Sequence, residues 1–493
     1  MKLLSDFTPK QRISIWIIIA LFTAIYCSIS VVNHYLFRTN AYDLGIYNNM
    51  LYTYSQFKLN YTTIQQPIVW HAFSDHFEPI FFLITPLYYV FGSYTLLYVQ
   101  IALIIAGGLG MMLWAKQVSE NNNIAIALLL QFLSMWGVYS ALAFDFHNNV
   151  TAAMLVPWLA LFIQQVQWKK VLLIWILMLA CKENMALYTA FVCAGFALHY
   201  FKEANKRNTL VLLSGASFIY FLIVIKFTIP HFQTPGAGYI YSDMYKSLGN
   251  TPKEMIDNVL NRPGYLFAQL FENFIYNPAY NGLKAETHFA VLISGGIFLI
   301  YRPQFLVMLI PIYLQKMFSN DPTKWGINYQ YSIEFVPVIC LATVSFLKHT
   351  TIPLFRQKLP WVIAAVTFVF TMSKLDSRVS IWYDKEASRF YQGSHYAQDF
   401  NTDALRTQLK QLTFTSADKI SAQSNLVPHL ANRTHIYLYP YLGETEYIVL
   451  SPPTKPYPLN EEQFQFALDT LTTSVFWKPI YNTTELKVFQ RKN

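Results

Sequence analysis

Long apolar runs constrain this chain more than any other feature. The first covers about residues 13–32, behind Lys2, Lys10 and Arg12. About 20 apolar residues suffice to cross a bilayer as a helix. Further runs cover 94–115, 122–142, 149–167, 171–201, 208–229, 287–301, 303–318, 331–347 and 360–374. Residues 79–91 add an apolar stretch of 13, short for a crossing and suited to an interfacial or re-entrant helix. Only 13% of the 493 residues are charged, against about 25% in a soluble domain. With 54% hydrophobic residues, the excess must face something other than water. Intrinsic disorder, a collagen-like fibre and a disulfide scaffold are excluded.

No small-residue cleavage site follows the first run, so it reads as a transmembrane helix rather than a cleaved signal. Cys181-Lys182-Glu183-Asn184 breaks the run 171–201 into two short spans with the polar break outside. The count is then eleven transmembrane helices, N-terminus in the cytoplasm and C-terminus outside. The positive charges agree with this topology. Lys116, Lys169, Lys170, Lys202, Lys206, Arg207, Arg302, Lys348, Arg356 and Lys358 all fall on expected inner segments. Making 79–91 a full crossing would invert everything after it and destroy that agreement. The net charge of +9 is thus read as orientation in a plasma (inner) membrane, periplasm-facing in a Gram-negative cell. It is not read as nucleic-acid binding, because no basic stripe with interleaved aromatics is present. Cys27, Cys181, Cys193 and Cys340 lie in or beside apolar runs without a CxxC pair, so no zinc site or disulfide framework is expected.

The expected fold class is an α-helical polytopic membrane protein with a small C-terminal α/β extracytoplasmic domain. Residues 1–375 form the membrane domain, with outer loops 33–93, 230–286 and 319–330. In the second loop, Thr251-Pro252-Lys253-Glu254 is a helix start: a capping Thr, Pro in the first turn, Glu three residues on. Residues 376–493 are polar and mixed, and 118 residues suit one domain. Helices are expected near 398–411, 426–431 and 459–471, with strands near 419–423, 434–439, 446–450, 475–481 and 485–490.

Ionisable residues are costly in a membrane, so their placement is informative. Here they gather at the outer ends of the spans: Asp43, Asp75-His76-Phe77-Glu78, Asp145-Phe146-His147 and Lys182-Glu183. Asp43 is a candidate general base, or equally the cap of a helix beginning at Leu44. Asp75, His76 and Glu78 are weak candidates for a divalent metal such as Mg or Mn, or a polar loop entering a helix at Pro79. Asp145 and His147 are either site residues or a solvated helix end. Lys182 and Glu183 are adjacent and point apart on a helix. Lys182 suits a phosphate contact or a structural ion pair. Tyr239, Tyr241 and Lys246 suit interface anchoring, and Arg262 is the loop's best candidate for a phosphate. No GxxxxGK[ST], HExxH or GxSxG motif occurs.

Asp43-Leu-Gly-Ile-Tyr-Asn48, His76-Phe-Glu-Pro79, Phe146-His147 and Lys182-Glu-Asn184 occur in order, followed by Ile420-Ser-Ala-Gln-Ser-Asn-Leu-Val-Pro-His-Leu430 and Arg433-Thr-His-Ile-Tyr-Leu-Tyr-Pro440. This ordered set resembles a prokaryotic membrane-protein family filed as domain of unknown function 2079. That family in turn is similar to a branch of the GT-C glycosyltransferases. The resemblance implies a multi-spanning bundle with a soluble outer domain. It implies a polyprenyl-phosphate-linked sugar donor and a glycan, lipid or protein acceptor. It also implies that Asp43 takes the catalytic-carboxylate position. Beside it, His76, Glu78, Asp145, His147, Lys182, Glu183 and Arg262 are candidate contacts for donor phosphate or acceptor, by charge and by their placement at the outer side. The competing readings are a transporter or lipid flippase, and a non-catalytic relative that acts as a binding module.

Overall fold

A computed structural model describes residues 4–64, 70–233 and 242–492. The chain is mostly helical, with a small C-terminal sheet. Among the described residues four helical runs are long and apolar enough to cross a membrane: Pro9–Tyr35, Phe81–Ser119, Ala204–Phe232 and Pro353–Asp376. The bent pair Asn122–Ser134 and Trp136–Leu142 makes a fifth if counted as one span. Asn148–Gln164, Gln304–Met317 and Phe335–His349 are shorter apolar helices. The long run Phe81–Ser119 is interrupted at Gly92, where φ is +53°. Residues 81–91 precede that break as short helical turns. The break at Cys181 is also a real helix boundary: one helix ends at Leu179 and the next begins at Glu183.

Chain contacts divide the molecule into two compact units. The helical unit comprises Met1–Cys27, Gln100–Pro230 and Thr234–Arg389. Buried side-chain hydrogen bonds cross between its helices. Tyr26 donates to Leu133 O (2.6 Å), Thr371 to Ser134 O (2.7 Å) and Gln131 to Ser294 O (2.8 Å). In an apolar bundle such bonds and close packing hold helices together, since lipid is as apolar as Leu. Gly137 shows the packing side of this. A β-carbon there would stand 2.6 Å from Ser332 O.

The second unit comprises Ser28–Val99, His231–Gln233 and Phe390–Asn493. A two-residue ladder pairs β1 (Tyr61–Thr62) with β2 (Trp70–His71). The main sheet contains β3 (Ile420–Ala422), β4 (Ile436–Leu438), β5 (Tyr447–Leu450), β6 (Trp477–Asn482) and β7 (Lys487–Arg491). Its order is β4-β3-β5-β7-β6. Strands β4, β3 and β5 are parallel, and β7 runs antiparallel to both β5 and β6. Side chains alternate between faces with period two. Val449 and Val488 join a core with Leu426, Val427, Leu430 and Leu405, while Ile448, Leu450 and Phe489 pack on the helix Glu461–Thr473. Each strand and helix expected after residue 398 is present. Asn460 and Gln463 close a reciprocal capping box at the start of that last helix. The sheet core also takes residues from far upstream: Phe37, Ala41 and Ile64 are buried in it.

Candidate functional site

Asp43 belongs to the sheet unit. The chain turns sharply there: Tyr42 is extended (φ −70°, ψ 140°), and Asp43 has φ 70° and ψ −93°. This is close to the tight, strained γ-turn geometry. The helix Ile46–Ser55 then begins with Gly45 at its N-cap position, so Asp43 stands ahead of the helix. Asp43 is half-buried, while Ala41, Leu44 and Gly45 beside it are buried.

The turn is held by the C-terminal sheet. Ala41 N donates to Ser424 Oγ at 3.2 Å, and Ser424 Oγ donates to Asn40 Oδ1 at 3.3 Å. Asn48 Nδ2 donates to Pro428 O at 3.2 Å, and Asn49 Nδ2 to Ala431 O at 3.1 Å and Arg433 O at 2.8 Å. Thr63 and Ile436 exchange two hydrogen bonds at the sheet's edge strand. Arg433 in turn donates to Leu430 O and Thr415 O. Burial pulls its pKa down to about 10. Ser424 lies two residues beyond the end of the central parallel strand β3. From β3 the chain passes through the short helix Val427–Leu430 on one face, and from β5 through Glu461–Thr473 on the other. Two parallel neighbours whose connections leave on opposite faces define a switch point, and open α/β sheets bind ligands in the crevice beyond its carboxyl ends. The Asp43 turn is anchored at that edge.

Upstream of Glu78, the imidazole of His71 caps a short turn by accepting from Phe73 N at 3.0 Å. Burial lowers its pKa, in keeping with a neutral ring. His76 Nε2 lies 3.9 Å from Asp75 Oδ1, with both partly exposed. Glu78 is 2% exposed. Its charge acts with burial to push the Tyr54 hydroxyl up. Among the described residues no three His, Cys, Asp or Glu side chains are grouped to hold a metal ion.

The helical unit holds a separate polar group. Asp145 sits at φ 48° between two helices. The Gln100 side chain clamps this turn, donating to Asp145 O at 2.9 Å and accepting from His147 N at 3.2 Å. His147 is 3% exposed and stacks on Phe144. Glu183 is buried in the first turn of its helix, where the helix dipole favours a carboxylate. Lys182 precedes it at the N-cap position. Its ammonium lies within electrostatic reach of Lys324 and of Glu334. Glu334 is 2% exposed, accepts from Asn149 Nδ2 at 3.1 Å and is also within reach of Lys316. Lys316 is 1% exposed and donates to Gly326 O and Ser332 Oγ. Lys324 lies over the Tyr331 ring. Burial pulls its pKa down to about 8; Lys182 adds to this and Asp321 opposes it. Glu334 Oε2, Asn148 Nδ2 and Oδ1, and Thr151 Oγ1 are buried without a hydrogen-bond partner among the described residues. Buried polar atoms are seldom left so, and sites for polar ligands are one place where it occurs.

Residues 33–486 match the family described as "Predicted membrane protein (DUF2079)". The chain belongs to this family. No curated protein matches the chain. Membership establishes a membrane protein and gives the sequence motifs a structural meaning. The segments Asp43–Asn48 and Ile420–Pro440 are about 380 positions apart, yet they interlock within one unit. Gly45 is required by that fit, since a β-carbon there would stand 2.9 Å from Val427 Cγ1.

The structure thus sorts the sequence candidates. Asp43, Asp75, His76 and Glu78 lie in the sheet unit; Asp145, His147, Lys182, Glu183 and Arg262 lie in the helical unit. Arg262 is exposed between the helices Pro252–Asn261 and Pro263–Gln269. The first of these starts at the expected Thr251 cap, which accepts from Glu254 N. Lys246 is exposed and pairs with Asp243 at 3.2 Å. Tyr239 and Tyr241 lie outside the described residues. Sequence reading passed over Lys316, Lys324 and Glu334. Lys316 and Glu334 could have been found, because each is an ionisable residue inside an apolar run. Asn149 carried no such signal.

Proposed function

We propose that this protein is a membrane glycosyltransferase that moves a sugar from a polyprenyl-phosphate carrier to an acceptor hydroxyl on the extracytoplasmic side. In this reading the shorter apolar helices complete a bundle of eleven crossings, N-terminus inside and C-terminal domain outside. The observation that carries the proposal is the polar group in the helical unit, where Lys182 and Lys316 lie within electrostatic reach of the buried Glu334, and Lys324 within reach of Lys182 and Asp321. Cationic side chains within an apolar helical unit suit an anion whose remaining bulk is hydrocarbon. A lipid phosphate is such an anion.

The chemistry follows from the charges. Asp43 takes the proton of the acceptor hydroxyl. The acceptor oxygen attacks the anomeric carbon, and the bond from that carbon to the phosphate oxygen breaks. The electron pair leaves with the phosphate, and the charge that builds there calls for cationic contacts. Direct attack of this kind inverts the anomeric centre.

The test uses the full chain in nanodiscs with a panel of polyprenyl-phosphate sugars and crude envelope acceptors. Mass spectrometry follows each donor for wild type and Asp43→Asn, with and without chelator. Consumption by wild type alone supports the reading and names the donor. If folded wild-type protein consumes no donor, the reading fails. Movement of intact carrier across the bilayer would then point to a flippase.

A further inference from the structure

The exit of the central strand β3 does more than hold the Asp43 turn. Gln423, 1% exposed, reaches the other side of the crevice: its Oε1 accepts from Ser451 N at 2.9 Å, and its Nε2 donates to Thr454 Oγ1 at 2.7 Å and Lys455 O at 3.1 Å. Gln423 therefore fixes the loop that leaves β5, and Ser424 fixes the turn that carries Asp43. These two loops present Tyr457 and Tyr42. The rings meet edge to face at 6.1 Å, and they are 51% and 39% exposed. The next residue, Asn425, is 5% exposed, and both polar atoms of its amide are buried without a hydrogen-bond partner among the described residues. A closed core would pair that amide or replace it.

We propose that Tyr42, Tyr457 and Asn425 form a subsite for the pyranose ring of a neutral glycan acceptor, next to Asp43 at the carboxyl edge of β3 and β5. The proposal rests on the transferase reading for its purpose but not for its geometry. The chemistry selects the ligand class. Exposed tyrosine faces take the C–H face of a sugar ring, and the unpaired amide of Asn425 lies one residue beyond Ser424, which holds the turn that carries Tyr42. A nucleotide, the usual occupant of such a crevice, would need a glycine-rich turn and a helix N-terminus for its phosphates. Here β3 is followed by Gln-Ser-Asn-Leu and a helix of only four residues. Asp43, an acidic group beside the tyrosines, also repels an anionic ring.

The test is saturation-transfer-difference NMR on the full chain in nanodiscs. The probes are the methyl glycosides of glucose, mannose and galactose, each added alone. Wild type is expected to transfer saturation to the ring C–H protons of at least one glycoside. Tyr42→Ala and Tyr457→Ala should each weaken its affinity about tenfold, in line with one lost aromatic contact. Tyr457→Phe, which keeps the ring, should retain it and controls for folding. Asn425→Leu, similar in size, should weaken binding without loss of thermal stability. Absence of transfer from folded wild type to every glycoside overturns the proposal. So does equal transfer in the alanine variants. The two readings fail separately. Tyrosine-dependent binding without donor turnover would sink the transferase and leave the subsite. Asp43-dependent turnover with an unchanged acceptor KM in the alanine variants would do the reverse.

Discussion

Asp43 combines a carboxylate with a backbone turn at φ 70°, and the two are separable by substitution. Asn tolerates positive φ better than most residues, so Asp43→Asn should unfold at the wild-type temperature. Its turnover should fall about 100- to 10,000-fold, the usual contribution of a general base. Asp43→Ala should lose the same activity and, in addition, about 1 kcal/mol of stability from the strained turn. Parallel measurements of donor consumption and thermal unfolding check both. Lys324 offers a second residue-scale test. Burial pulls its pKa down to about 8, so it is charged below that pH and neutral above it. Phosphate holding should weaken as pH rises through about 8. Lys324→Arg, which stays charged, should carry donor affinity to higher pH. A pH profile of KM for wild type and variant decides it. The sign for stability is the opposite. A lysine whose folded pKa lies below its unfolded value makes folding more favourable as pH rises from about 8 towards about 10.4.

At the scale of elements, the helix Ile46–Ser55 is joined to the C-terminal sheet by close packing and by carbonyl-directed amides. Gly45→Ala places a β-carbon 2.9 Å from Val427 Cγ1 and 3.4 Å from Asn40 O. It should destabilise the sheet unit by about 1–3 kcal/mol, the usual penalty of overpacking. Val427→Ala in the same chain should recover much of the loss, because it removes the methyl that clashes. Non-additivity in a double-mutant cycle, read by denaturant unfolding, checks the contact. Asn49→Leu is a complementary change. It leaves two buried carbonyls, those of Ala431 and Arg433, without that donor. The expected cost is about 1–3 kcal/mol, read as faster amide exchange along β4.

For the whole molecule, the helical unit carries buried cations and carboxylates inside an apolar bundle. Lys182 and Lys316 lie within reach of Glu334, and Lys324 within reach of Lys182 and Asp321. Glu334→Gln removes the carboxylate that Lys182 and Lys316 share. It should tighten competitive inhibition by free polyprenyl phosphate about fivefold, the equivalent of about 1 kcal/mol of lost repulsion. Unchanged inhibition would place the phosphate elsewhere.

The membrane character, the break at Cys181 and the α/β elements after residue 398 were legible in the sequence, because each depends on local composition and periodicity. Apolar length decides whether a helix can leave water, and alternation decides which strand face is buried. The candidate Asp43 was also legible, as an acidic residue at the edge of an apolar run. Its surroundings were not. Nothing local links Asn48 to Pro428, Ala41 to Ser424 or Thr63 to Ile436, because hydrogen bonds to backbone carbonyls and hydroxyls leave no pattern in composition. The same holds for Tyr42 against Tyr457, and for Lys182 within reach of Lys324 and Glu334. The sequence by itself determined which segments avoid water and where strands and helices begin. Only the tertiary structure decided that the turn bearing Asp43 is built into the C-terminal sheet, because strand order and long-range packing bring together residues that no local rule connects.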